Sequence, residues 1–152
     1  MLTRTHLAIT LFFVLVLISS VEFKVVFVLT ALIATLIPDI DIKSSWVGKH
    51  FIFRPLQWFS GHRNIFHSFT FLFLVTLFFV LFFPVVSLGF FLGYSLHILS
   101  DMFTIEGIAP FYPYKKKSSW RIKTGGKTEI SLFVIFILAD LILIYLRIFS
   151  IL

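Results

Sequence analysis

Five apolar runs, at residues 7–21, 25–37, 65–83, 85–103 and 130–152, leave this chain little room to fold as a water-soluble protein. A soluble domain averages about 45–50% apolar and about 25% charged residues. Here the figures are 59% and 13%, and the excess is concentrated in Phe, Leu, Ile and Val runs. A membrane-spanning helix needs roughly 20 residues, within about 17–25, so the third, fourth and fifth runs qualify. The first two are short and are separated by Glu22, Phe23 and Lys24. They predict a helical hairpin, set in a locally thinned bilayer or packed inside the bundle. A single helix through 7–37 would leave Glu22 and Lys24 uncompensated at its middle. Pro84 places a tight turn between the third and fourth runs. The fold class expected is all-α: an integral membrane bundle of about five transmembrane or membrane-inserted helices, forming one domain over residues 1–152. Arg4, the run 7–18 and Ser19-Ser20 also have the outline of a signal peptide. The further membrane segments that follow argue against that reading.

Basic residues set the expected orientation. With five spans, the start of the chain, the stretch 39–64 and the stretch 110–129 share one side. Of the 13 Lys and Arg residues, only Lys24 and Arg147 fall on the other. The positive-inside rule then predicts a multi-pass protein with a cytoplasmic N-terminus and an external C-terminus. Residues 39–64, with Trp46, Pro55 and Trp58, read as an interfacial stretch. Residues 110–129 read as an exposed loop. Its Lys115, Lys116 and Lys117 suit topogenesis and attraction to anionic lipid headgroups better than nucleic-acid binding.

On this topology every histidine except His50, and every aspartate except Asp140, lies at one membrane level. His6 opens the first helix, Asp39 and Asp41 close the second, His62 and His67 precede or begin the third, and His97 and Asp101 end the fourth. His97 and Asp101 are four apart and share a helix face with Tyr94. Asp39 and Asp41 follow Pro38; in an extended stretch both carboxylates would point the same way. His62 and His67, five apart, do not share a regular helix face, so a helix beginning near Asn64, a good N-cap, is expected to separate them. Ionised aspartates at membrane depth need partners, and a divalent cation is the strongest available. With no Cys in the chain, the ligands are imidazole and carboxylate. That donor set suits Zn, Fe or Mn, and seven candidates are enough for two ions. Asp140, in the middle of the fifth run, has no evident partner and no assigned role.

The ordered pieces Thr5-His6, Pro38-Asp39-Ile40-Asp41, Arg54-Pro55-Leu56, Gly61-His62-Arg63 with His67-Ser68, Gly93-Tyr94 with His97, Asp101, Thr104 and Gly107, Tyr112-Pro113, and Thr124-Gly125-Gly126 with Glu129 run along nearly the whole chain. In these the sequence resembles the YdjM family of inner-membrane metal-dependent hydrolases, also described as LexA-binding membrane proteins. Asn64 and Phe66 depart from that pattern, where a glycine and a small or hydroxyl residue are expected. The resemblance implies a cell inner (plasma) membrane location and a hydrolase built on a metal site.

Two functional classes follow. In the first, a cation at His6, Asp39, Asp41, His62, His67, His97 and Asp101 activates water. Asp39 or Asp101 takes the proton, and Arg63, with Tyr94 and Lys127, holds an anionic substrate such as a lipid phosphoester. In the second, the metal is structural and the basic loop docks a cytosolic protein partner. Ion transport is disfavoured, because no ladder of ligands crosses the span.

Overall fold

The computed structural model describes residues 1–41 and 65–149. The described residues form five α-helices: α1 (Thr3–Leu17), α2 (Lys24–Leu36), α3 (Phe69–Phe82), α4 (Pro84–Met102) and α5 (Lys127–Ile148). Short 3-10 turns, Ile18–Ser20 and Pro38–Asp41, extend α1 and α2. The all-helical membrane bundle expected from the apolar runs is present, and α1 and α2 form the separate helices of a hairpin around residues 21–23. Three helical stretches are long and apolar enough to cross a membrane: Thr3–Ser20, Pro84–Met102 and Lys127–Ile148.

The distribution of lengths differs from expectation at two places. The helix of the first run is long enough to span and that of the third is not. α1 begins at Thr3, before the apolar run, because Arg4, Thr5 and His6 join the helix and Thr5 and His6 turn into the protein. α3 begins only at Phe69: Ser68 is its N-cap and accepts a hydrogen bond from the Phe71 N–H at 3.2 Å. Asn64 is therefore not the cap. Residues 65–68 form a turn instead, which leaves α2 and α3 each roughly 20 Å long, short of a bilayer core of about 30 Å. Pro84 opens α4 at its first turn, where its missing N–H is no loss, and Phe83 alone separates α3 from α4.

The bundle is organised by α2 against α4. On α4, Gly89, Gly93, His97 and Asp101 recur every four residues and so share one face. On α2, Phe27, Ala31 and Thr35 do the same, and Asp39 follows in the turn beyond the helix. The glycines let the backbones touch: a Cβ at Gly93 would lie 1.9 Å from the Ala31 carbonyl oxygen, and one at Gly89 2.8 Å from that of Phe27. Small residues four apart are a recurrent means of close helix approach in membranes, where lipid offers no hydrophobic drive. The Thr35 hydroxyl fastens the seam, donating to the Ala31 carbonyl at 2.8 Å and paired with the Thr10 hydroxyl of α1 at 2.8 Å.

Around this pair, α3 lies against α4 and α5 against α1. Leu72, Phe90, Tyr94, Ile98 and Ile108 fill the core on the α3 side. Arg147 ties the end of α5 to α1, its guanidinium donating to the Leu15 carbonyl and, at 2.8 Å, to the Ser19 hydroxyl. The outward faces of α3 and α5 are apolar and exposed, as lipid contact requires. Residues 103–126 form a braced loop, with bridges pairing Thr104 with Ile122 and Ile108 with Ser118.

Gly93→Ala should separate α2 from α4 and destabilise the protein by about 1–3 kcal/mol, the usual range for overpacking. Thermal unfolding in detergent measures this, and an unchanged midpoint would contradict the close-contact account.

Candidate metal centre

Five chain segments meet at one end of the bundle, and each delivers a side chain there. α1 contributes His6, the turn after α2 contributes Asp39, the turn before α3 contributes His67, and the last turn of α4 contributes His97 and Asp101. The fifth, the start of α5, contributes Glu129. All six are buried, none more than 6% exposed.

Four of these form a ring in which imidazole and carboxylate alternate. His67 Nε2 lies 3.9 Å from Asp39 Oδ1 and 3.7 Å from Asp101 Oδ2. His97 Nε2 lies 3.7 Å from Asp39 Oδ1 and 3.8 Å from Asp101 Oδ2. These separations are too long for hydrogen bonds. A tetrahedral zinc with bonds of about 2.0–2.1 Å sets neighbouring donors roughly 3.4 Å apart. An inward movement of a few tenths of an ångström would bring the ring to that size.

The tautomer of His97 is fixed by its surroundings. His97 Nδ1 lies 2.7 Å from the Thr35 carbonyl, one of the last carbonyls of α2. A carbonyl only accepts, so Nδ1 carries the proton and donates. Nε2 is left with its lone pair directed at the two carboxylates, buried and without a hydrogen-bond partner among the described residues. A ligating histidine is oriented by its second nitrogen in this way. The donor set and the lone Nε2 together fit a divalent cation. Two three-residue groupings have the required spacing: His6, His97 and Asp101, and Asp39, His67 and His97.

His6 lies at the edge of the ring. Its Nε2 is 3.3 Å from Asp101 Oδ1, and its ring stacks on that of His97 with centroids 3.9 Å apart and planes 8° apart. Asp101 Oδ1 also meets the Met1 amino group. One oxygen of Asp101 thus faces α1 while the other faces the two imidazoles of the ring.

Other expected site residues have different places. Tyr94 is fully buried in the apolar core; its hydroxyl donates to the Phe66 carbonyl. Its one proton is committed there, so it braces the turn carrying His67. Lys127 opens α5 with an exposed side chain, two residues before Glu129. Asp41 ends a 3-10 turn, not an extended stretch, so two-residue alternation does not orient the carboxylates of Asp39 and Asp41. The Asp41 side chain, His62, Arg63 and the stretch 42–64 lie outside the described residues. Asp140 is buried midway along α5, and neither carboxylate oxygen has a hydrogen-bond partner among the described residues.

Glu129 was visible in the sequence only as part of a motif. Its carboxylate is fully buried and accepts from the Leu2 N–H at 2.5 Å and the Gly125 N–H at 2.6 Å. Leu2 is the N-cap of α1 and offers no side-chain cap of its own. Glu129 accepts the N–H of the N-cap residue itself, as the Glu of a capping box does but from another helix, and so fixes the end of α1 that carries His6. Gly125, at φ +73°, gives the turn that aims its N–H at the carboxylate.

Comparison with known proteins agrees with this architecture. The sequence model of a family described as YdjM inner membrane protein matches residues 1–151. Two relatives called "Inner membrane protein YdjM", from Escherichia coli (strain K12) and Shigella flexneri, are each 34% identical over 103 residues, 62% of this chain and 50% of the relative. The chain therefore matches about half the length of these curated relatives. No solved structure matches it.

Glu129→Gln would place an amide NH2 against one of two buried N–H donors. It should destabilise the protein by about 1–3 kcal/mol, the penalty for an unsatisfied buried donor. Denaturant or thermal unfolding in detergent measures the loss; wild-type stability would refute the capping role.

Proposed function

Because the chain belongs to the YdjM inner membrane protein family, we propose that it is a membrane-embedded metal-dependent hydrolase acting on a phosphoester of an amphiphilic substrate at the cytoplasmic face. The observation that carries this reading is the ring of two imidazoles and two carboxylates at 3.7–3.9 Å with the His97 lone pair aimed into it. His6, His97 and Asp101 would hold the cation, with His67 in support. Zinc suits the donors, with Mn or Fe as alternatives. One ion is favoured over two: His97 belongs to both groupings, but its Nδ1 is committed to Thr35 and cannot bridge. When bound, the cation supplies Lewis-acid activation of water near neutral pH.

The chain's own residues then divide the work. Asp39 is 6% exposed against 1% for Asp101, and is the carboxylate nearer the surface. It accepts the proton of the attacking water and returns it to the leaving oxygen as the P–O bond breaks. Asp101, enclosed by His6 and the Met1 amino group, holds position. Arg63 and Lys127 are assigned to the anionic group of the substrate on charge alone.

The closed ring also favours a second reading, in which all four residues are ligands and the metal is structural. The protein would then be a membrane scaffold whose basic loop docks a cytosolic partner. Asp39→Asn separates the two. In the hydrolase the variant keeps its metal by elemental analysis while hydrolysis of a generic phosphoester or phospholipid falls about 10²–10⁴-fold, the usual contribution of a general base. In the scaffold the metal itself is lost. Asp101→Ala should lose the metal in either case, and full phosphoester turnover in that variant would end the hydrolase reading.

The orientation we propose has Lys115, Lys116 and Lys117 in the cytoplasm. The chain has no Cys, so single cysteines report sidedness directly. With an impermeant maleimide on intact cells, Glu22→Cys should label and Lys116→Cys should not; the reverse pattern would invert the protein.

A further inference from the structure

The loop between α4 and α5 contains an open cleft of about 730 Å³, a size typical of small-ligand sites. Met102, Pro110, Phe111 and Tyr114 give it apolar and aromatic walls, and Lys116 and Lys117 line it beside them. Its backbone is held on several sides. Ile108 and Ser118 exchange N–H···O bonds of 3.0 and 2.8 Å. The Phe69 N–H donates to the Pro110 carbonyl at 2.7 Å, and the Thr70 hydroxyl to the Tyr112 carbonyl at 2.8 Å. Gly107, at φ +58°, lies where a Cβ would meet the Ser118 carbonyl at 2.3 Å, which keeps the two arms of the loop in contact.

Position and charge together indicate the occupant. The cleft begins at Met102, next to Asp101, and so lies at the end of the spans, at headgroup depth. Phe111 and Tyr114 are exposed there, as aromatic residues are at a membrane interface. Lys116 and Lys117 form no ion pair with any carboxylate among the described residues. Two uncompensated cations beside an apolar wall match a molecule with an anionic head and an acyl tail. We propose that this cleft is a binding site for an anionic phospholipid of the surrounding bilayer. The phosphate sits at Lys116 and Lys117, and the start of the acyl chain lies along Met102, Pro110 and Phe111. Binding needs no turnover and does not depend on the hydrolase reading.

The test uses the purified full chain in neutral detergent, titrated with phosphatidylglycerol or phosphatidylcholine, with retained lipid counted by native mass spectrometry. Phosphatidylglycerol should be retained preferentially. Lys116→Ala with Lys117→Ala should weaken its retention about thirty-fold, as expected for removing two cations from an anionic surface. Phe111→Ser should weaken retention of both lipids. Addition of EDTA should leave phosphatidylglycerol retention by the wild type unchanged, which separates this site from the metal centre. Equal retention of the two lipids, or unchanged phosphatidylglycerol retention in the double lysine variant, would overturn the proposal. So would glycerol 3-phosphate binding as tightly as the lipid, since the apolar wall would then contribute nothing.

Discussion

The contact between α2 and α4 is the constraint from which the rest follows. In a membrane, apolar surface gains little by leaving lipid for protein, so helices are held by close packing and by polar contacts that close packing permits. Gly89 and Gly93 remove the side chains that would hold the backbones apart. Close approach then lets the Thr35 hydroxyl pack at the seam and brings the Thr35 carbonyl within 2.7 Å of His97 Nδ1. The same four-residue ladders that carry the small residues carry the chemistry one and two turns further on: His97 and Asp101 on one helix, Asp39 after the other.

Burying this much polarity at membrane depth requires each charge to have an answer. Glu129 is answered by two backbone N–H groups, Asp101 by His6 and an amino group. His97 Nε2 has no such answer within the described residues. An unpaired buried nitrogen carries a desolvation penalty of a few kcal/mol, which a cation ligand would offset. The contrast between fully bonded and unbonded polar groups, a few ångströms apart, is what distinguishes a ligand site from a polar brace.

Much of this was legible in the residues. The apolar runs identified the helices, and Pro84 the turn between two of them. The spacing of His97 and Asp101 placed both on one helix face, and the reversal of direction between successive helices predicted that His6, Asp39, His67 and His97 would share an end. Helix ends were less legible. The third run read as a span because Ile65 and Phe66 extend its apolar character, but these residues form a turn stabilised from outside, by Tyr94 bonding to the Phe66 carbonyl. Likewise the first run read as too short, because the polar start of α1 is stabilised by Glu129, 127 residues away from Leu2. The ladder Gly89, Gly93, His97, Asp101 was present in the sequence as a four-residue repeat, and it was the signal that could have named α2 as the partner of α4.

Composition and periodicity alone determined that the chain is a membrane helical bundle with His6, Asp39, His67, His97 and Asp101 towards one end, because length, hydropathy and the reversal of successive helices are properties of the linear chain. Only the tertiary structure decided which of those groups meet. It brought Asp39, His67, His97 and Asp101 into one ring, withdrew Tyr94 into the core, and gave Glu129 the task of holding α1. The physical reason is that donor spacing of a few ångströms depends on how closely two backbones approach and which carbonyl orients each ring, and neither is a property of one segment.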